Sequence, residues 1–236
     1  MPVKHISEKI QSVDQLPSGL TLFSGPSPNV QKLTLYLELL NVNYNFRVIN
    51  RVALEQKEEW FIELNPQGKF PLLIDNRIDE SKKLIISESN SILLYIANNY
   101  DQEYKYFKPE SLDKQLYYQE LKYLFLQEGA LRLTQFQWKW YVEHQKDKTE
   151  EIDRFKNETL IVHDVIERQL RVNKTGYLID KGLNIVDIAI FPFLKRSKYL
   201  LNLDLGNLFP LSNELLERVL QLNETKISIE IPSPAL

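Results

Sequence analysis

A cluster of small polar residues separates the first apolar run of the chain from the first helical pattern. It reads Ser-Gly-Pro-Ser-Pro-Asn over residues 24–29. Where a strand passes into a helix, side chains and unpaired backbone N–H groups face outward together, and the helix N-terminus adds about half a positive charge. Ser24, Ser27 and Asn29 can therefore each donate a hydrogen bond to an anion such as a thiolate. The simpler alternative is that Asn29 caps the helix and the prolines only stiffen the loop.

A second stretch places a proline at the entry of an apolar run, in the segment Gly-Lys-Phe-Pro-Leu-Leu-Ile-Asp over residues 68–75. Proline removes a donor from the strand ladder, so it suits only sheet edges and the points where strands begin. If the peptide bond between Phe70 and Pro71 is cis, the backbone N–H and C=O of Phe70 can pair with an extended peptide. This pairing would be a form of strand addition.

Glu88 and Ser89 stand just before a third helical pattern. At a helix N-terminus the Ser89 hydroxyl and the backbone N–H groups can hold a carboxylate, while the Glu88 carboxylate can hold an ammonium. One amino-acid head group would satisfy both. The alternative is that Ser87 or Ser89 is an ordinary N-cap and that Glu88 complements the helix dipole.

The composition excludes several classes of protein. None of the 236 residues is cysteine, which excludes disulfides, zinc–thiolate sites and a mechanism in which a protein thiol is the nucleophile. His144 and His163 lie far apart without acidic partners at metal-binding spacing, so no metal is expected. The net charge of -3 comes from mixed signs without a block of like charge, so neither nucleic acid nor a membrane is an expected partner. A charged N-terminus without an apolar stretch predicts a cytoplasmic location.

Short strands alternate with helices in the first hundred residues. The predicted strands are Leu20–Phe23, Tyr44–Ile49, Phe70–Ile74 and Leu84–Ile86, and the predicted helices are Asn29–Leu40, Leu54–Leu64 and Ser89–Tyr100. This order, βαβαββα, is that of a thioredoxin-like fold.

The second half of the chain is predicted to be all-helical, because no proline occurs between Ser111 and Phe191. Helices are predicted over 114–145, bent near Gly129, over 150–172, from a capping box at Asn184 and Asp187, and over 212–222. The segment 226–231 alternates like a strand. The predicted organisation is an N-terminal extension over 1–18, a thioredoxin-like domain over 19–100, a linker over 101–113, and an all-helical domain with a C-terminal tail over 114–236.

Taken together, these segments resemble the glutathione transferase family, and most closely its fungal nitrogen-regulator-like and bacterial nu-class branches. The resemblance covers roughly residues 19–205 and rests on the order and spacing of Leu22-Phe23-Ser24 with Pro28-Asn29, of the run 63–71, of Glu88-Ser89 with 92–95, and of Tyr177-Leu178 with Asp187. It implies a thioredoxin-like domain that binds glutathione, a helical domain that supplies most of the co-substrate pocket, and a homodimer.

The resemblance also implies roles for single residues. Asn29 resembles the residue that positions the glutathione sulfur, helped here by Ser27 or Ser24. Lys69 stands where relatives carry a basic residue near the glycyl carboxylate, and Phe70, before Pro71, resembles the residue whose backbone pairs with the cysteinyl unit. Glu88 and Ser89 match the pair that holds the γ-glutamyl end, and Asp187 the structural acid of a capping box.

Two features of the sequence leave the role of the helical domain and of one loop residue open. Aromatic side chains crowd the first long helix, and most of them are expected in the core or in a dimer interface. Tyr118, Phe125 and Leu126 are weaker candidates for the co-substrate pocket. Val30 stands where relatives commonly have glycine, and a β-branched residue does not take a positive φ comfortably.

The sequence thus predicts an enzyme that stabilises the thiolate of bound glutathione for attack on an electrophile, a peroxide or a disulfide. Without a protein cysteine, disulfide reduction would need a second glutathione to resolve the mixed disulfide. The alternative is a binding or regulatory protein with little turnover, which Val30 and the unusual tail favour slightly. Catalysis is the preferred hypothesis, because a chain that keeps every glutathione contact without using the thiol is the less economical explanation.

Overall fold

A computed structural model describes residues 3–6, 10, 13–77 and 83–231. The chain forms two compact units. The first ends at Tyr100 and takes in the chain again from Asn223, and the second is Asp101–Leu222. Residues from 223 onward are predicted to belong to the helical domain, whereas the described residues 223–231 group with the first unit.

The first unit is built on one mixed sheet. Its strands are β1 (Lys4–His5), β2 (Leu20–Ser24), β3 (Tyr44–Val48), β4 (Leu72–Asp75) and β5 (Leu84–Ser87), and its helices before residue 101 are α1 (Pro28–Leu39), α2 (Glu59–Leu64) and α3 (Ser89–Tyr100). The strand order is β1-β3-β2-β4-β5. Strands β1 and β2 lie parallel to β3, whereas β4 is antiparallel to β2 and β5 is antiparallel to β4. The predicted thioredoxin-like order is confirmed, with β1 as an addition.

Strand β2 and helix α1 form the centre of this unit. Every residue of β2 is buried, and α1 is buried from Val30 to Glu38 apart from the half-buried Gln31. Burial of polar positions on α1 follows from its packing against both α3 and the last helix of the chain. Such a helix needs internal hydrogen bonds for its polar groups.

The second unit is entirely helical in the residues described. Its helices are α4 (Lys114–Leu126), α5 (Leu133–His144), α6 (Thr149–Asn173), α7 (Ile185–Tyr199), α8 (Leu205–Leu208) and α9 (Pro210–Leu220). A π-helical segment, Gln127–Arg132, joins α4 to α5 and contains Gly129, where the sequence predicts a bend. Among the described residues, no helix is long and apolar enough to cross a membrane.

Helix α7 begins with the predicted capping box. The Asn184 side chain accepts from the backbone N–H of Val186 at 2.8 Å, and the Asp187 carboxylate accepts from the N–H of Asn184 at 3.0 Å. The other carboxylate oxygen of Asp187 accepts from the N–H of Leu178 at 2.9 Å. Asp187 therefore fixes both the start of α7 and the loop before it, as the sequence predicts.

The strand predicted over 226–231 is wrong, because Asn223–Glu230 forms a helix, α10. Thr225, Ser228 and Ile231 are buried. Their spacing of three residues makes one helix face, and α10 packs with it on α1, where the Thr34 hydroxyl donates to the carbonyl of Ser228 at 3.1 Å. The alternating isoleucines predict a strand, but within α10 itself the buried residues are Thr225 and Ser228.

The remaining differences are at element boundaries. The helix predicted from Leu54 begins at Glu59, after a short 3₁₀ turn, Glu55–Lys57. The strand predicted from Phe70 begins at Leu72. The two residues before β4 are thus left outside the ladder.

Candidate functional site

Strand register brings the three polar stretches to one end of the sheet, where β2 and β5 finish and β4 begins. Phe23 near the end of β2 lies opposite Leu72 at the start of β4, and Leu72 lies opposite Ser87 at the end of β5. The loop after β2, the residues before β4 and the start of α3 therefore adjoin one another. We call this place the sheet-end site and define it by Asn29, Phe70, Glu88 and Ser89.

The peptide bond between Phe70 and Pro71 is cis, as predicted. Within the described chain, the backbone N–H and C=O of Phe70 make no backbone hydrogen bond. The Phe70 ring lies against the loop after β2, where a Cβ placed on Gly25 would come within 2.5 Å of a ring carbon. A side chain at position 25 would therefore force the Phe70 ring to move.

The first turn of α1 leaves the side chain of Asn29 available. Ser27 is the N-cap, because its hydroxyl oxygen accepts from the backbone N–H of Asn29 at 3.2 Å. The alternative in which Asn29 caps the helix is therefore wrong. The Asn29 Oδ1 atom is buried and has no hydrogen-bond partner among the described residues.

Ser24 and Ser27 differ from Asn29 in what their hydroxyl groups already do. Ser24 is fully buried at the end of β2, and its hydroxyl donates to the carbonyl of Arg47 at 3.4 Å. Ser27 uses its oxygen as the cap acceptor, which leaves the hydroxyl hydrogen free to donate. Asn29 and Ser27 thus lie at the sheet-end site, whereas the Ser24 hydroxyl is already hydrogen-bonded to the carbonyl of Arg47.

Val30 lies in the first turn of α1 and is completely buried. Its backbone φ is not positive. The valine therefore packs into the core in ordinary helical conformation, and the strain considered for this position from the sequence does not arise.

Glu88 and Ser89 form the other side of the site. Glu88 is exposed with a left-handed backbone, φ 66°, and its carboxylate accepts from the Gln67 side chain at 2.9 Å. Ser89, the first residue of α3, is 2% exposed, yet its hydroxyl has no hydrogen-bond partner among the described residues. The serine therefore does not act as an N-cap, and its buried oxygen is available to a ligand.

The loop that carries Lys69 is held by two hydrogen bonds and a close backbone approach that the sequence does not predict. The Asn65 side chain donates to the carbonyl of Lys69 at 2.7 Å, and Lys57 donates to the carbonyl of Gln67 at 3.0 Å. Gly68 has φ 57°, and a Cβ there would come within 2.6 Å of the Gln56 carbonyl oxygen. Gln67 pairs with a residue far along the chain, so no local pattern could have identified it. The side chain of Lys69 is exposed.

The co-substrate candidates lie in the second unit. Tyr118 is 52% and Phe125 is 73% exposed on α4, and Leu126 is half-buried at its end. Their role stays a prediction. Other aromatic residues of this unit, Tyr123 and Trp138, are buried, as expected for packing. Among the residues the structure describes, no cluster of three histidine or acidic side chains is arranged to hold a metal.

Comparison with known proteins identifies the family. Residues 18–98 match the family model for the glutathione S-transferase N-terminal domain, and residues 132–227 match that for the glutathione S-transferase C-terminal domain. The chain belongs to the glutathione S-transferase family. The family resemblance given by the sequence motifs is thereby confirmed.

Relatives of this glutathione S-transferase family member occur in fungi and bacteria. Glutathione S-transferase 1 of Schizosaccharomyces pombe is 34% identical over 163 residues, which cover 69% of this chain and 68% of the relative. Disulfide-bond oxidoreductase YghU of Escherichia coli is 31% identical over 188 residues, which cover 75% of this chain and 62% of the relative.

A solved structure has the same fold. The glutathione transferase homolog from Lodderomyces elongisporus, determined with two GSH per subunit, has a TM-score of 0.83 and 29% sequence identity. The match covers 92% of this chain and 100% of that chain. The fold described above is thus that of a glutathione transferase along nearly its whole length.

Proposed function

We propose that this glutathione S-transferase family member binds glutathione at the sheet-end site and stabilises its thiolate for attack on a second substrate. The observation that carries the proposal is the buried Ser89 hydroxyl at the start of α3, which has no partner among the described residues and lies beside the cis peptide at Phe70. Buried polar atoms are normally hydrogen-bonded, and exceptions are common where a ligand completes the set.

Each part of the tripeptide has a matching group at this site. The γ-glutamyl carboxylate accepts hydrogen bonds from the hydroxyl of Ser89 and from the backbone N–H groups at the start of α3. The γ-glutamyl ammonium pairs with the Glu88 carboxylate. The cysteinyl backbone pairs with the N–H and C=O of Phe70, as an added strand does. The exposed ammonium of Lys69 suits the glycyl carboxylate. This arrangement places the cysteinyl sulfur toward the loop that follows β2.

Asn29 is then the residue that favours ionisation of the thiol. Its side-chain amide donates to the sulfur, Ser27 has a hydroxyl hydrogen to donate, and the N-terminus of α1 adds partial positive charge. Lowering a thiol pKa by about two units requires about 2.7 kcal/mol of preferential stabilisation of the thiolate. One or two charge-assisted hydrogen bonds with the helix dipole supply that amount.

The thiolate of glutathione is the nucleophile, since the chain has no cysteine. With an electrophile, sulfur forms the new bond and the leaving group departs with its electron pair. With a disulfide, the thiolate displaces one sulfur as a thiolate and forms a mixed disulfide, and a second glutathione thiolate then releases the other sulfur and oxidised glutathione. The YghU relative is named as a disulfide-bond oxidoreductase, which supports including disulfides among the substrates.

The experiment compares the wild type with Asn29→Ala in conjugation of an aryl halide and in reduction of hydroxyethyl disulfide. We expect kcat/KM to fall about 100-fold in Asn29→Ala, the usual effect of removing one donor to a developing anion. Asn98→Ala is the matched control, because Asn98 is exposed on α3, where its side chain donates to the Leu94 carbonyl of the same helix. Full activity of Asn29→Ala would transfer the thiolate role to Ser27.

The same assays distinguish an enzyme from a binding or regulatory protein. Retention on immobilised glutathione without turnover in either assay would support the regulatory alternative. The structure removes one argument for that alternative, because Val30 packs in the core of the first unit. Failure to bind glutathione would contradict both.

We further propose a homodimer in the cytoplasm. Four large aromatic side chains on the long helical stretch of the second unit are 40–73% exposed, and they are Tyr118, Phe125, Phe136 and Trp140. Exposed apolar groups of this size favour a protein interface. The cytoplasm is the proposed location because the reaction consumes reduced glutathione, which reducing compartments maintain.

A further inference from the structure

A completely buried lysine lies next to the sheet-end site. Lys32 is 0% exposed on α1, three residues after Asn29, so the two side chains share a face of the helix. Lysine is almost never fully buried, because removing an ammonium from water costs several kcal/mol unless other groups stabilise it. The position of this charge therefore needs a physical explanation.

The Lys32 ammonium reaches the first turn of α3. Its Nζ donates to the Asn90 Oδ1 at 2.6 Å, and Asn90 directly follows Ser89. Ser89 precedes Asn90 in the sequence, and its buried hydroxyl has no partner among the described residues. A hydrogen bond from α1 thus fixes the turn that offers both a hydroxyl and free backbone N–H groups.

We propose that Lys32 is a positioning residue for the γ-glutamyl carboxylate of glutathione, an inference that rests on the proposed function. Lys32 holds Asn90, and with it the start of α3, in the geometry that receives the carboxylate. Its positive charge adds to that of the helix N-terminus, and in a low-dielectric site such a charge acts more strongly than in water. If this contact only joined α1 to α3, an apolar pair of similar volume would do so without the cost of burying a charge.

Two variants separate the charge from the mechanical link. Lys32→Met removes the ammonium. Asn90→Asp keeps an acceptor for Lys32 and strengthens the link between the helices, but it cancels the positive charge. Thermal unfolding of both variants reports whether the fold is kept, and Asn90→Asp, with an acid in the first turn of a helix, is expected to fold normally.

The test measures dissociation constants by calorimetry for two ligands. One is glutathione, and the other is the analogue in which hydrogen replaces the α-carboxylate of the γ-glutamyl residue. The wild type is expected to bind glutathione at least about tenfold more tightly than the analogue, the effect of one charge-assisted contact. In both variants this preference is expected to fall to about twofold or less, with affinity for the analogue little changed.

Each outcome decides the inference. Equal weakening of both ligands in Lys32→Met, or an undiminished preference for glutathione in Asn90→Asp, would show that Lys32 only joins the two helices and would overturn the proposal. If Lys32→Met does not fold, Lys32→Gln, which keeps a hydrogen-bond donor at this position without the charge, gives the decision. If the wild type binds neither ligand, the proposed function itself fails, which this measurement distinguishes from failure of the role of Lys32.

Discussion

Two polar side chains at the sheet-end site, those of Asn29 and Ser89, are the basis of the proposed chemistry. The buried Ser89 hydroxyl has no partner among the described residues, and leaving such a group unpaired costs about 1–3 kcal/mol. The γ-glutamyl carboxylate of bound glutathione accepts from that hydroxyl in the proposed complex, and the Asn29 side-chain amide donates to the sulfur. Ser24, whose type and position fit equally well in the sequence, already donates to Arg47 and has no such role.

A second buried polar group, His163, makes stability depend on pH. Its Nε2 lies 2.7 Å from the Ser197 hydroxyl, which also accepts from the Gln135 side chain at 2.7 Å. No acidic side chain takes part in these contacts, and the buried histidine is neutral. Burial lowers the pKa of His163 to about 4. The ring also stacks on Phe209.

We predict that stability falls as the pH drops from about 6.5 to about 4. In this window the unfolded histidine binds a proton and the folded one does not, so protonation favours unfolding. Between pH 7 and pH 5 the wild type is expected to lose about 2 kcal/mol more than His163→Gln in urea unfolding. The exposed His144 supplies the control, and His144→Gln should retain the pH dependence of the wild type. An identical loss in His163→Gln and the wild type would contradict this account.

At the scale of elements, local chemistry was predictable and tertiary placement was not. The capping box at Asn184 follows from residue types three positions apart, the cis bond before Pro71 is the condition on which the strand-addition hypothesis rests, and both are present. Strand β1 has only two residues and exists through pairing with β3, so no periodicity reveals it. Helix α10 is held by the packing of Thr225 and Ser228 on α1, which a hydrophobic pattern does not detect.

For the candidate site too, the residue types could be predicted from the sequence and the long-range contacts could not. The types and order of Asn29, Phe70, Glu88 and Ser89 identified it from the sequence. The roles of Gln67 and Lys32 depend on contacts 21 and 58 residues along the chain, which only the fold brings together. A lysine within the apolar face of α1 was the one available signal for Lys32.

Two glycines test the helical unit in opposite directions. Gly129 lies in the π-helical segment, and a Cβ added there would have no described atom within 4 Å, so Gly129→Ala should stabilise the protein by about 0.5–1 kcal/mol.

Gly176 has φ 84°, and a Cβ there would lie 2.7 Å from the Arg218 guanidinium, so Gly176→Ala should destabilise the protein by about 1–2 kcal/mol. Denaturant unfolding measures both. Equal effects of the two substitutions would contradict the backbone assignment.

At the scale of the whole molecule, the exposed aromatic side chains of α4 and α5 predict assembly. Sedimentation equilibrium is expected to give twice the mass of one chain for the wild type. Introducing charge with the double substitution Phe136→Glu and Trp140→Glu should give the monomer mass, because burying unpaired carboxylates in an interface is unfavourable. Ile161→Glu, at a residue 64% exposed on α6, is the control and should remain dimeric. A monomeric wild type would refute the proposed homodimer.

In the proposed mechanism, the sheet-end site ionises the thiol of bound glutathione through Asn29. Ultraviolet absorbance of the thiolate, followed against pH with saturating protein, measures this ionisation directly. We expect bound glutathione to have a thiol pKa about two units below that of an ordinary thiol, about 8.5, and most of that difference to disappear in Asn29→Ala. A bound thiol that titrates at the same pH as free glutathione would contradict the account.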